Sequence, residues 1–414
     1  MEGDPRSSGL PTPCRSHLSL RSPRQLEGKD TLELSAASFS YPNHDGAVRA
    51  EVAGSLLRGA TLDKGFVLST CLRVEVAVPG AEDLLNEALL GLFGETIPVQ
   101  PHIRSGEAAA THLYRIAAGL ESPILGEQEI LTQFRQTLIT DEEAGRVDGL
   151  FARLLESAVS VGRQARELIP GSPHNSMAAV AAQAVGASPR VAVLGSGIMA
   201  TAVVEGLMLL PAPPQVTVVA RNPEKVVDRE GVEVLPFEQA RAVIEEFPAV
   251  ISATSAKHRL VDDRSLSAAV SGRRQPLLLI DMAMPPDFRP TVGDDITYIA
   301  IDDLARMADR RPRTDEADAF VESAATEAYR HYREHHELGP LIGGLMSSAD
   351  EIVDNAVRRF AGRLGDPADE AILRQSAHTV ARTLLAGPVS YLKTADRAPE
   401  AIDVIADAFG VDDG

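Results

Sequence analysis

The chain has 414 residues, 44% hydrophobic and 24% charged, which suits roughly two to four globular domains and excludes a largely disordered polymer. A formal net charge of -19 excludes nucleic-acid binding by bulk electrostatics, so any such contact needs a local basic patch. The two cysteines, Cys14 and Cys71, have no zinc-type spacing, which excludes a disulfide scaffold, counts against a cysteine metal site and suits a reducing compartment.

Residues 1–30 are rich in Pro, Ser and Arg, lack the apolar core of a secretory signal, and are expected to form a disordered leader. No run of about 18 apolar residues appears anywhere, so no membrane span and a cytoplasmic location are expected. From residue 31 the pattern sharpens. LELSAASFSY and GFVLSTCLRVEVAV read as strands, the second as one strand over Val67 to Val78, while AVRAEVAGSLL and EDLLNEALLGLF read as amphipathic helices. HLYRIAAGL, EQEILTQFRQTLI and LFARLLESAVSVGRQARELI continue as helices, and a first α+β domain over 31–170 is expected to end at Pro170-Gly171-Ser172-Pro173.

A second domain, 171–312, opens with the helix MAAVAAQAV and then alternates strands (RVAVL, QVTVVAR, AVISATS, PLLLIDMA) with helical or irregular segments. That βαβ rhythm predicts a Rossmann-like domain with a parallel sheet. Residues 313–414 turn helical. A long connecting helix, DEADAFVESAATEAYRHYREHHEL, is expected to break at Gly339-Pro340 before an all-α segment whose stripe Val353, Val357, Phe360 and Leu364 predicts dimerisation.

Three features carry chemistry. Gly195-Ser196-Gly197-Ile198-Met199-Ala200 follows a strand and opens a helix. The first glycine suits a tight turn, the second lets backbone approach a pyrophosphate, and the small Ala200 lets helix and strand pack, which points to a dinucleotide. The next strand ends in Ala220-Arg221 with no acidic residue for a ribose, and a guanidinium there favours NADPH over NADH. On a single strand, Cys71 would share a polar face with Arg73, whose charge would favour the thiolate; a half-buried structural cysteine is the alternative. His331 and His335 lie one helical turn apart but lack a third ligand at a recognisable spacing, so no metal site is expected.

The segment STCLRVEV resembles the STCNRxE motif of the glutamyl-tRNA reductase family. His112-Leu113-Tyr114-Arg115-Ile116-Ala117-Ala118-Gly119-Leu120-Glu121-Ser122, Leu125-Gly126-Glu127-Gln128-Glu129-Ile130-Leu131, LIDMAMPPD, IDDL and RTLLAGPVSYLK resemble further family segments, in order, from about residue 31 to about residue 395. The resemblance implies a V of three domains: a catalytic domain, an NADPH domain, and a connecting helix leading to a helical dimerisation domain. It implies that Cys71 attacks the ester carbonyl of glutamyl-tRNA and that NADPH reduces the resulting thioester to glutamate-1-semialdehyde, the first step towards 5-aminolevulinate and tetrapyrroles. It assigns His112 to the reacting centre, Thr70, Arg73, Ser122, Glu127 and Gln128 to the glutamyl group, and Gly195, Ser196, Gly197, Ile198, Met199, Ala200 and Arg221 to the cofactor. The implied partners are glutamyl-tRNA, a second copy of the chain and the aminomutase that consumes the aldehyde. Arg146, Arg153, Arg163 and Arg166 could supply the basic patch for tRNA.

Several positions depart from the family pattern: Leu72 replaces its Asn, Ile198 its Glu, Pro286 its Arg and Ala220 its Asn, and SFSYPNHDGAV matches its opening segment poorly. Two other readings therefore stand beside the enzyme. One is a non-catalytic relative that binds tRNA, NADPH or a tetrapyrrole; the other is an NADPH dehydrogenase of a small acid.

Overall fold

A computed structural model describes residues 33–57, 62–94, 99–169, 176–226, 229–256, 260–261, 263–271, 273, 275–289, 295–308, 315–361, 367–392 and 401–409. The expected leader and the Pro170 to Pro173 boundary lie outside these residues. The first lobe contains β1 (Ser35–Ser40), α1 (Gly46–Leu57), β2 (Phe66–Ser69), β3 (Arg73–Val78), α2 (Glu82–Phe93), β4 (His102–Ser105), α3 (Glu107–Ala118), α4 (Gln128–Glu143) and α5 (Gly149–Ala165). Its strands form an antiparallel sheet in the order β2-β3-β1-β4. Period-two alternation sends Ala37, Phe39, Val74 and Val76 to a core shared with α1 and α2. Ala36, Leu68 and Ala77 face the core of α3, α4 and α5. With helices on both faces, every residue of β1 and β3 is buried, including Ser38, Arg73 and Glu75.

The second lobe runs α6 (Met177–Ala184), β5 (Arg190–Leu194), α7 (Ile198–Met208), β6 (Gln215–Ala220), β7 (Val232–Pro236), α8 (Ala240–Glu246), β8 (Ala249–Ser252), α9 (Asp263–Val270), β9 (Leu277–Asp281), β10 (Ile296–Ala300) and α10 (Ile301–Met307). All six strands are parallel, in the order β10-β9-β8-β5-β6-β7. Continuous apolar runs such as RVAVL and LLLID suit a sheet covered on both faces, here by α6, α7 and α10 on one side and α8 and α9 on the other. The strand order reverses between β5 and β8, so a crevice opens at their carboxyl ends.

The third part is α11 (Asp315–Ala361), α12 (Pro367–Leu392) and α13 (Ala401–Phe409). The expected break at Gly339-Pro340 does not occur: α11 continues through it for 47 residues, a length of roughly 70 Å. A proline inside a helix removes one hydrogen bond and strains the preceding turn. Here Leu338, Leu341 and Leu345 are buried against Leu385, Leu392 and Ala406, and this packing outweighs the local preference. The same holds at Pro388, inside α12. Of the expected stripe, Val353 and Val357 are buried and Phe360 is half-exposed, while Leu364 lies outside the described residues. No described helix is long and apolar enough to cross a membrane.

The N-terminal half of α11 is anchored on the first lobe. Ala317, Val321, Ala325, Tyr329 and Tyr332 join the core of α3 and α5. Arg115 of α3 pairs with Asp318 at 2.7 Å and Glu322 at 3.2 Å. Helices α3 and α5 pack so closely that a Cβ on Gly162 would lie 2.5 Å from the Ala117 carbonyl oxygen, a backbone atom that cannot swing aside. Gly162→Ala is therefore expected to destabilise the protein by about 1–3 kcal/mol, the usual range for overpacking, read as a lower urea midpoint. An unchanged midpoint would contradict this packing.

Candidate active site

The segment read from sequence as one strand is a hairpin. Strands β2 and β3 pair antiparallel, and Thr70-Cys71-Leu72 form the connection between them. The turn is closed by side-chain chemistry rather than by glycine. Thr70 donates its N–H to the Arg73 carbonyl at 2.8 Å. Its hydroxyl accepts from the N–H groups of Leu72 at 3.3 Å and Arg73 at 3.2 Å. Tyr41, just past β1, donates to the Leu72 carbonyl at 3.0 Å and pins the turn to the sheet. Cys71 thus leaves the sheet and does not share a face with Arg73, contrary to the single-strand expectation.

Arg73 and Glu75 do share a face, and it points at α3. Glu75 is fully buried, accepts from Ser38 Oγ at 3.0 Å and Arg73 Nη1 at 3.2 Å, and meets His112 Nε2 at 3.0 Å. Burial alone would raise its pKa, but His112, Arg73 and Ser38 hold it below the usual carboxylate range. Arg73 also donates through Nη2 to the Glu121 carbonyl. Arg73 and His112 therefore sit in one buried network behind the thiol turn, and neither lines the cleft that Cys71 enters.

The half-buried Cys71 thiol is pushed up to about 12, first by burial and then by Glu127; the cation that opposes this is Arg49, not Arg73. The thiolate expected from sequence is thus not the resting form, and a base must take its proton. Glu127, buried just before α4, is pushed up to about 7 by burial and by Glu129, against a hydrogen bond from Ser122 and the charges of Arg73 and Arg166. A carboxyl poised near neutrality can exchange a proton at physiological pH. Two left-handed glycines allow its approach: a Cβ on Gly119 would lie 3.1 Å from the Glu127 N–H nitrogen and 3.0 Å from the Gly126 Cα.

Of the glutamines on α4, Gln128 is exposed and outside the cleft, whereas Gln133 lines it beside Cys71 and Thr70. Gln133 was not singled out from sequence. The signal was its position three residues after buried Ile130 and next to buried Phe134, at the margin of the apolar stripe. The expected basic patch is also smaller than the arginine count suggested. Arg166 donates to the carbonyls of Ala117, Gly162 and Glu127 at 2.9, 2.5 and 2.7 Å, and Arg146 pairs with Asp141 at 2.5 Å. Arg153 and Arg163 are exposed.

The same cleft, about 430 Å³, reaches the crevice between β5 and β8. Gly195 has φ +122°, and a Cβ there would lie 2.6 Å from the Ala253 carbonyl oxygen, so only glycine fits. A Cβ on Gly197 would meet nothing within 4 Å, which leaves an open cradle at the N-terminus of α7. Ser196, Ile198, Met199 and Arg221 line this half, while Ala200 is buried beneath Gly195. Arg221 is exposed, with no carboxylate paired to it among the described residues. The far wall depends on two buried carboxylates. Asp281 accepts from the N–H groups of Ala283 at 3.1 Å and Phe288 at 3.0 Å, and Asp287 from Ser252 Oγ at 2.6 Å. Together they fix the loop that puts Met282 and Met284 in the cleft. A glycine cradle and a helix N-terminus at the switch point of a parallel sheet fit a dinucleotide.

Comparison with known proteins finds likeness in all three parts of the chain. Residues 37–168 match the family model for the glutamyl-tRNAGlu reductase N-terminal domain, 179–307 that for shikimate/quinate 5-dehydrogenase, and 316–411 that for the glutamyl-tRNAGlu reductase dimerisation domain. The chain is 33% identical to a glutamyl-tRNA reductase of Thermus thermophilus over 293 residues, covering 67% of this chain and 73% of that protein. It is 29% identical to the Methanopyrus kandleri glutamyl-tRNA reductase, covering 88% of this chain and 94% of that protein. The solved Methanopyrus kandleri structure aligns with a TM-score of 0.45 at 25% identity, covering 91% of this chain and 99% of that one.

The state of Glu127 has a consequence for stability. Below its ordinary pKa of 4.5 both folded and unfolded chains hold the proton. Between 4.5 and about 7 the unfolded chain releases it first, so stability falls as pH rises, by on the order of 3 kcal/mol once pH exceeds 7. Glu127→Gln is expected to match the parent in urea midpoint near pH 4 and to exceed it at pH 8. Parallel pH profiles for the two proteins would contradict a neutral buried Glu127.

Proposed function

The chain belongs to the glutamyl-tRNA reductase family, and we propose that it reduces glutamyl-tRNA to glutamate-1-semialdehyde through a thioester on Cys71, the first step towards tetrapyrroles. The observation that carries this reading is that the Cys71 turn and the glycine cradle open into one cleft. Neither a dehydrogenase of a small acid nor a binding-only relative has a use for a thiol at that place.

Cys71 Sγ attacks the ester carbonyl carbon, and the tRNA ribose oxygen leaves with a proton. Glu127 takes the thiol proton and returns one to the leaving oxygen, so the carboxyl is regenerated. Thr70 and Gln133 line the cleft beside the sulfur and contact the glutamyl group, with Ser122 holding Glu127 in place. Arg73, from behind the turn, opposes the rise in the Glu127 pKa, and His112 keeps Glu75 ionised so that Arg73 stays oriented. When bound, NADPH supplies the hydride that converts the thioester carbon to an aldehyde. Gly195, Ser196 and Gly197 would hold its pyrophosphate, and Arg221 would select its 2′-phosphate. Collapse to the aldehyde returns the electron pair to Sγ, which is reprotonated.

The third part dimerises the protein, in keeping with its family model. The free thiol suits the reducing cytoplasm. The reactive aldehyde favours direct transfer to the aminomutase that consumes it.

In a single turnover with labelled glutamyl-tRNA, Cys71→Ser is expected to yield no aldehyde, while the parent yields aldehyde from glutamyl-tRNA and none from free glutamate. Full activity of the variant, or reduction of free glutamate, would overturn the mechanism. Arg221→Ala is expected to weaken NADPH binding by about 1.5–3 kcal/mol, roughly 10- to 150-fold, the scale of a hydrogen bond to a charged group, and to leave NADH binding unchanged. Equal loss for both cofactors in calorimetric titrations would remove Arg221 from cofactor choice.

A further inference from the structure

Arg49 lies on α1 of the first lobe, and its side chain has no solvent exposure. Nη1 donates to the His44 carbonyl at 2.6 Å, Nη2 forms an ion pair with Asp302 of α10 in the nucleotide lobe, and Nε has no hydrogen-bond partner among the described residues. The two helices meet closely, since a Cβ on Gly46 would lie 3.2 Å from the Asp302 carboxylate. The guanidinium sits 6.0 Å from the ring centroid of Tyr41, the residue whose N–H holds the Leu72 carbonyl. Leu72 itself, 4% exposed, belongs to the core cluster that contains Met177, Ile301 and Leu304 of the nucleotide lobe. The thiol turn is therefore docked on that lobe twice, by an apolar plug at Leu72 and by the ion pair through Tyr41.

A buried ion pair contributes little net stability compared with a packed apolar pair, because desolvation offsets the attraction. What it provides here is a fixed geometry between two lobes. We propose that Arg49–Asp302 is an interlobe latch that seats the Cys71 turn against the nucleotide lobe, holding the acylated thiol towards the cofactor cradle and away from water. Arg49 and Asp302 are positioning residues, and the inference rests on the thioester reading above. The latch governs the fate of the thioester rather than its formation, since an acyl–Cys71 can either be reduced to aldehyde or be hydrolysed, with water adding to the carbonyl and the thiol leaving.

The test uses full-length protein and labelled glutamyl-tRNA. Asp302→Asn removes the charge of the latch, and Gly46→Ala wedges a methyl group against the carboxylate while keeping both charges. Without cofactor, both variants are expected to release tRNA in a burst of parental amplitude, but to lose the label from Cys71 to free glutamate several-fold faster. With NADPH, the aldehyde-to-glutamate ratio is expected to fall about tenfold, within the roughly 10²-fold cost of a 1 Å misplacement of reacting groups. Parental thioester lifetime and parental ratio in both folded variants would overturn the latch. A parent protein that gives neither burst nor label on Cys71 would overturn the thioester reading itself, and the latch with it.

Discussion

The Glu75 carboxylate is buried where an isolated charge would be prohibitively costly, and it is kept ionised by Ser38 of β1, Arg73 of β3 and His112 of α3. Those three contacts join two neighbouring strands to the helix behind them. They fix the end of β3, and so fix where the chain must reverse. The Thr70 hydroxyl then closes the reversal by accepting two turn N–H groups, and Cys71 is carried out of the sheet into the cleft. Arg73 and His112 act as part of this frame. Gln133 of α4 lines the cleft beside the thiol, and Glu127, buried just before α4, acts on it electrostatically.

The second half of the site is built by a different rule. A parallel sheet covered on both faces reverses its strand order between β5 and β8, and the glycine turn after β5 leads into the N-terminus of α7 there. The two halves share a cleft because Leu72 packs into the core of the nucleotide lobe. That accounts for a leucine where the family motif that this segment resembles has a polar asparagine: the residue after Cys71 is used here as an apolar plug.

The nucleotide lobe was legible in the sequence because its signals are local. An apolar strand followed by Gly-x-Gly-x-x-Ala and a helix admits few other folds, and all of those residues lie at or under the cleft. The hairpin was not legible, since its turn uses a threonine hydroxyl in place of the usual glycine or asparagine, and alternation alone continues straight through Cys71. The continuity of α11 through Gly339-Pro340 was hidden for a related reason: the burial of Leu338, Leu341 and Leu345 is a tertiary effect that local propensity does not encode. The partners of Arg49 and Arg166 are likewise distant in sequence, so their burial could not be read from charge spacing.

The central claim is that thiol and dinucleotide occupy one site. The rate of Cys71 alkylation by iodoacetamide, followed by peptide mass spectrometry with and without saturating NADPH, tests this directly. If the cleft is shared, the cofactor slows alkylation of Cys71 several-fold while leaving Cys14 unaffected. An unchanged rate at Cys71, with NADPH binding verified by calorimetry in the same sample, would contradict the shared site.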